Sequence, residues 1–194
     1  MQSYVLGIDI GTGSIKTVAV DETANVFPGL QRYYETINSE PGYSEQDPAV
    51  IVNAFLNIIK DTVQKIGHAP LLVSLSSAMH SVVPVDENGT ALSGLMLWSD
   101  TRSASIAIEI KKLTEAEQVY RDTGTPIHSM SPLCKIAWLR KNQSSLFERT
   151  HKFISIKEYI WYQLFHEFKI DHSLASGTGL FNIHQLKWNP LSLK

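Results

Sequence analysis

The feature that most constrains this chain lies at its start. Tyr4-Val5-Leu6-Gly7-Ile8-Asp9-Ile10 is a mostly apolar run, and Gly11-Thr12-Gly13-Ser14 follows it at once. Ile15-Lys16-Thr17-Val18-Ala19-Val20 comes next and is rich in β-branched residues. Such runs read as strands, and the glycine cluster between them as a turn. A third strand is expected over about residues 30–36. Three strands without an intervening helix predict an antiparallel opening to a sheet.

The pattern then changes. Asp47-Pro48 is a helix start, with Asp as N-cap and Pro in the first turn. Ile51, Phe55, Ile58, Thr62 and Ile66 recur at helical spacing, and Val52, Ile59 and Val63 widen the stripe. Gly67 stands where a C-terminal glycine belongs. Leu71 to Leu75 predicts a strand covered on both faces. Val82 to Val85 and Leu95 to Trp98 predict a strand pair around the turn Asp86-Glu87-Asn88-Gly89. Helices are expected at about 103–113, 115–123, 133–142 and 156–165, with a short strand near 169–171. Mixed strands and helices imply an α/β fold.

Composition narrows the function classes. The chain has 194 residues, 43% of them hydrophobic, which suffices for a core without disulfides or metals. Seventeen basic and 19 acidic residues give a net charge of -2, so a broad nucleic-acid footprint is not expected. The single cysteine, Cys134, excludes an internal disulfide and a cysteine-rich zinc site. Flanked by Leu133 and Ile136, it reads as inert core. No apolar stretch has the length of a membrane span, and the N-terminus lacks a basic n-region. A cytoplasmic protein is the expectation, with no membrane partner.

The glycine turn carries the most chemistry. Glycines let a backbone approach an anion closely and turn N–H groups toward it. Thr12 and Ser14 add hydroxyls, Lys16 adds a cation, and Asp9 ends the first strand where a carboxylate can organise magnesium. A dinucleotide fingerprint would need glycine in place of Lys16 and a helix after it. No Gly-Lys-Ser/Thr of a Walker loop is present. The plain alternative is a hairpin turn with an edge aspartate.

Gly7-Ile8-Asp9-Ile10-Gly11-Thr12-Gly13-Ser14-Ile15-Lys16 resembles the opening phosphate loop of the FGGY carbohydrate kinases. Further blocks resemble the same family in the same order. They are Gly42-Tyr43-Ser44-Glu45-Gln46-Asp47-Pro48, Ser76-Ser77-Ala78-Met79-His80-Ser81 and Leu97-Trp98-Ser99-Asp100-Thr101-Arg102-Ser103, then Thr123-Gly124-Thr125-Pro126 and Asp171-His172-Ser173-Leu174-Ala175-Ser176. Within the family the likeness is closest to gluconokinases. Xylulokinases are the runner-up, most of which have Gly-Gln where Ser77 and Ala78 stand.

The resemblance implies a ribonuclease H-like, actin-like ATPase domain, a mixed sheet with flanking helices, as the N-terminal half of a two-domain sugar kinase. On this reading residues 1–194 are the N-terminal domain, cut before the family's Gly-x-x-Asp-Gly general base, with the C-terminal nucleotide domain absent. The implied activity is ATP-dependent phosphorylation of a sugar or sugar acid, gluconate first, by the full-length protein. The implied cofactors are ATP and Mg2+, and a homodimer is compatible.

The resemblance also assigns roles. Gly11, Thr12, Gly13 and Ser14 meet the γ-phosphate, Lys16 offsets developing charge, and Asp9 organises Mg2+, directly or through water. Met79, His80, Trp98, Asp100, Arg102, His128 and Met130 line the substrate site. Arg102, Lys135 and His128 are candidates to meet a substrate carboxylate. Each residue also has a plain alternative: Trp98 as core, Asp100 as a helix cap, Arg102 as a structural ion-pair partner, Met130 as packing, His80 as a satisfied core histidine and Lys135 as solvated surface. A non-catalytic sugar-binding module is the rival function. A structural actin-like protein is disfavoured because holding nucleotide requires neither the Met-His nor the Trp-x-Asp-x-Arg block.

Overall fold

The computed structural model describes residues 3–194. In chain order the elements are β1 (Tyr4–Ile10), β2 (Ser14–Asp21), β3 (Val26–Phe27), β4 (Gln31–Tyr33), β5 (Glu45–Gln46), α1 (Pro48–Ile66), β6 (Leu72–Ser77), β7 (Val83–Val85), β8 (Leu95–Met96), α2 (Ala104–Ile110), α3 (Ala116–Thr123), α4 (Pro132–Asn142), α5 (Ser144–Arg149), β9 (Lys152–Ile154), α6 (Ile156–Phe165), α7 (His172–Ser176), β10 (Phe181–Asn182) and β11 (Lys187–Trp188). They form two compact units. The first holds the residues up to Thr36 together with Asp47–Ala78, and the second holds Ile37–Gln46 together with Met79–Lys194.

The first unit is a sheet ordered β3-β2-β1-β6, with β4 also on β2. β1 and β2 are antiparallel in a register that sets Asp9 opposite Lys16 and Ile10 opposite Ile15. Strand side chains alternate between faces. Tyr4, Leu6, Ile8, Ile10, Ile15 and Ala19 therefore fill the buried face, while Val5, Asp9, Lys16 and Val18 stand on the exposed one. Helix α1 packs on β2, where the hydroxyls of Thr17 and Thr62 meet at 3.2 Å.

The expected helix signals operate as physical devices. The Asp47 side chain accepts the Ala49 N–H, and Gly67 closes the helix at φ 94°, a left-handed conformation that glycine adopts without strain. The buried stripe is Ile51, Phe55, Ile58 and Thr62.

The strand expected over 71–75 differs from its reading. β6 runs parallel to β1, but it is the edge of the sheet, and Leu71, Leu72 and Val73 are exposed at 76%, 60% and 39%. An apolar run predicts a strand, but burial depends on what lies against each face.

In the second unit the expected β7–β8 pair reduces to an isolated bridge, Val82 to Met96. The Asp86–Gly89 turn forms, with the Asp86 carboxylate accepting the N–H groups of Asn88 and Thr90. The strands find distant partners instead, β7 with β9 and β8 with β5. Four helices lie close to their expected positions, whereas α5, α7 and β11 are additional to the expected elements. No strand forms at 169–171, because Asp171 caps α7 through the Leu174 N–H and pairs with Lys157 at 2.8 Å. Helix α6 carries a full capping box between Ser155 and Glu158. Cys134 is fully buried with Ala107 and Ile127, and burial pushes its thiol pKa up, as inert core requires.

Candidate functional site

The glycine turn of the first unit is closed from within. The Gly11 N–H donates to the Ser14 carbonyl at 3.0 Å. Tyr34 braces the turn from the residue after β4: its hydroxyl donates to the Gly11 carbonyl and its N–H to the Gly13 carbonyl. Burial, then the nearby Asp9 charge, raises the Tyr34 pKa far above its usual value, so it stays a neutral donor. Ser14 is buried, and its hydroxyl oxygen accepts from Gln31 at 2.9 Å. The turn's outer part is Thr12 and Gly13.

Gly13 is informative. Its φ is not positive, and a Cβ built on it would meet no atom within 4 Å. Neither backbone conformation nor crowding within this chain calls for glycine there, whereas close approach by a ligand would. Beside the turn, Asp9 and Lys16 stand opposite each other on the exposed face. Asp9 offers hard oxygen donors, and magnesium is commonly held by one or two carboxylates together with water and substrate phosphates. The residues present therefore fit a magnesium–phosphate group. Among the described residues no cluster of three His, Cys, Asp or Glu side chains forms a self-contained metal cage.

In the second unit the Met79–His80 segment is held under tension. His80 adopts φ 66°, an uncommon conformation for a residue with a Cβ. Its Nδ1–H donates to the Gly177 carbonyl at 2.8 Å, which leaves Nε2 as an acceptor. Burial pulls the His80 pKa down despite that hydrogen bond, so the ring stays neutral. The adjoining Ser176 carbonyl accepts from Thr125 at 2.6 Å, which ties the Thr-Gly-Thr-Pro turn to the same segment.

His128 is exposed, and its Nδ1 accepts the Met130 N–H at 3.1 Å. The proton of the neutral ring therefore sits on Nε2. The His80 ring thus keeps an acceptor nitrogen and the His128 ring a donor nitrogen.

Lys135 departs from the surface reading. It is fully buried, and its ammonium donates to the His80 carbonyl at 2.6 Å and the Met130 carbonyl at 2.9 Å. Burial pushes its pKa down to about 7. The sequence named Lys135 as a candidate cation, but no signal marked its burial, because lysine is almost never fully buried.

Asp100 and Arg102 form a clamp. Asp100 is fully buried and accepts from the Ser44 N–H at 2.9 Å and the Arg102 N–H at 3.1 Å. It does not cap the next helix, whose N-cap is Ser103. Arg102 reaches Asp100 through Nε, reaches Glu45 at 2.5 Å, and lies 3.8 Å from the Tyr43 ring centroid. Burial opposes the Arg102 charge, but the bonds to Asp100 and Glu45 outweigh it and hold its pKa above the ordinary value. The structural ion-pair alternative thus describes what Arg102 does in this chain. Trp98 is 50% exposed, so it is not core, and Met130 is half-buried.

A cavity of about 910 Å³ in the second unit is lined mainly by apolar side chains such as Ile110, Leu113, Ile136 and Trp188. It includes His80 but not Trp98, Asp100, Arg102, His128 or Met130.

Residues 4–194 match the FGGY family of carbohydrate kinases, N-terminal domain. The chain is 41% identical to a gluconokinase of Bacillus subtilis (strain 168) over 195 residues, covering all of this chain and 38% of that protein. It is 31% identical to a xylulose kinase of Staphylococcus xylosus, covering 96% of this chain and 39% of that protein. A crystal structure of gluconate kinase from Lactobacillus acidophilus superposes with a TM-score of 0.95 at 34% identity, over all of this chain and 39% of that one. The chain therefore spans well under half the length of these relatives.

Proposed function

The chain belongs to the FGGY family of carbohydrate kinases, and on that premise we propose that the full-length protein transfers the γ-phosphoryl group of ATP to a sugar or sugar acid, with gluconate as first choice. The carrying observation is the braced turn with open space at Gly13, beside Asp9 and Lys16 in register on one exposed face. Gluconate precedes xylulose because the gluconokinase relative is closer in sequence, and because Ser77 and Ala78 depart from the Gly-Gln of most xylulokinases.

Each unit has its own part. In the first, the Thr12–Gly13 backbone receives the terminal phosphate, Ser14 sets the end of the turn, and Lys16 offsets the charge that grows on the transferring group. Asp9 would hold Mg2+, which when bound would screen the phosphate charge. In the second, the His80 Nε2 accepts from a substrate hydroxyl, and the His128 Nε2–H donates to a carboxylate or hydroxyl. Met79, Met130 and Trp98 supply apolar contact to the carbon chain. Asp100 and Arg102 act through the clamp that holds the Tyr43–Glu45 segment. On this reading the general-base carboxylate and the C-terminal nucleotide-binding domain belong to the full-length protein, a cytoplasmic enzyme.

The test is ADP release by the full-length protein over gluconate, xylulose, glycerol and ribulose. Activity on gluconate is expected, and activity on none of the four refutes the reading. Asp9→Asn and Lys16→Ala are each expected to lower kcat by about 100-fold or more.

A further inference from the structure

We propose that Lys135 is a positioning residue for the acceptor substrate: its buried ammonium ties the His80 segment to the Met130 segment and so fixes the spacing of the groups that grip the sugar. This rests on the functional reading above.

The geometry is specific. One nitrogen on α4 bonds two carbonyls from segments far apart in sequence, His80 at 2.6 Å and Met130 at 2.9 Å. Both segments carry candidate substrate groups and are anchored again close by. The His80 ring is held by the Gly177 carbonyl, and the His128 carbonyl accepts from the Ser131 hydroxyl and N–H at 2.9 Å each. The strained φ of His80 persists only where the surroundings over-determine it, and the Lys135 bond to its own carbonyl is one such constraint.

The placement is costly in itself. Among the described residues no carboxylate lies within ion-pair distance of the Lys135 nitrogen, although the side chain is fully buried. Asp100 favours its charge from a distance, while Arg102 opposes it. An apolar residue of similar length would avoid desolvating the ammonium but would leave both carbonyls without this donor. What an apolar residue cannot do is satisfy both carbonyls and hold the two segments at one separation. Leu139, also on α4 and 1% exposed, supplies a packing-only comparison.

The experiment uses the full-length protein with Lys135→Met, Lys135→Gln and Leu139→Ala. Rates are measured with gluconate and with xylulose, varying sugar and ATP separately. Lys135→Met is expected to raise the sugar KM at least about tenfold while leaving the KM for ATP within about twofold. Lys135→Gln, which keeps a donor, is expected to recover part of that loss. Leu139→Ala is expected to lower the melting temperature without moving the sugar KM. An unchanged sugar KM in Lys135→Met overturns the proposal, as does an equal rise in both KM values. If Lys135→Met does not fold, Lys135→Gln carries the same comparison. If the wild type phosphorylates none of gluconate, xylulose, glycerol and ribulose, the functional reading fails separately. Amide exchange at residues 79–81 and 128–131 then decides the tie: faster exchange in both segments of the variant supports it, and unchanged protection overturns it.

Discussion

Arg102→Met removes the centre of the clamp, and its cost follows from burial. The Asp100 side chain is 0% exposed, and two of its contacts come from the Arg102 Nε at 3.1 and 3.0 Å. Removing the guanidinium leaves a buried carboxylate held only by backbone N–H groups, a situation that typically costs about 3–5 kcal/mol. The contact to Glu45 adds less, because that side chain is 23% exposed and partly solvated. Stacking on Tyr43 adds about 1 kcal/mol. A chain of this size loses roughly 2–4 °C of melting temperature per kcal/mol, so a fall of about 8–24 °C is expected. Urea unfolding, followed by circular dichroism and tryptophan fluorescence, measures the same loss, and Trp138 lies 5.2 Å from the guanidinium as a local reporter. The double variant Asp100→Asn with Arg102→Met removes the orphaned charge and is expected to be more stable than Arg102→Met alone. A loss below about 1 kcal/mol, or a double variant as unstable as the sum of the singles, refutes the clamp energetics.

Three further outcomes are expected. Burial raises the Glu158 pKa to about 7, so the folded state binds more protons than the unfolded state between pH 4.5 and about 7. Stability therefore falls as pH rises through that window, by on the order of 3 kcal/mol, and Glu158→Gln should flatten the profile in pH-dependent melting curves. Gly13→Ala meets open space and should keep stability within about 0.5 kcal/mol, yet raise the KM for ATP at least about tenfold if the turn receives phosphate. Gly177→Ala places a Cβ 2.5 Å from the Met79 Cε and 3.3 Å from the His80 Cε1. Because methionine yields, steady-state kinetics should show a higher sugar KM with little loss of melting temperature.

The opening strands, the capped helix α1 and the glycine turn were legible because each is specified locally. Alternation fixes the buried face of β1 and β2, and Asp47 and Gly67 satisfy or release the backbone at the helix ends. The phosphate turn could be found for the same reason, since its glycines and flanking charges are contiguous. Tyr34 was within the expected third strand, but nothing local says that its hydroxyl closes on Gly11.

The sequence by itself determined most of the element types, the turn chemistry and the family, because these rest on short-range periodicity and contiguous motifs. Only the tertiary structure decided that Lys135 is buried between two carbonyls, that Asp100 and Arg102 are spent on each other and on residues 44–45, and that β6 is an exposed edge. The physical reason is the same in each case. A side chain's charge cost and hydrogen-bond partners are set by groups tens of residues away, and no local pattern records which of them arrive.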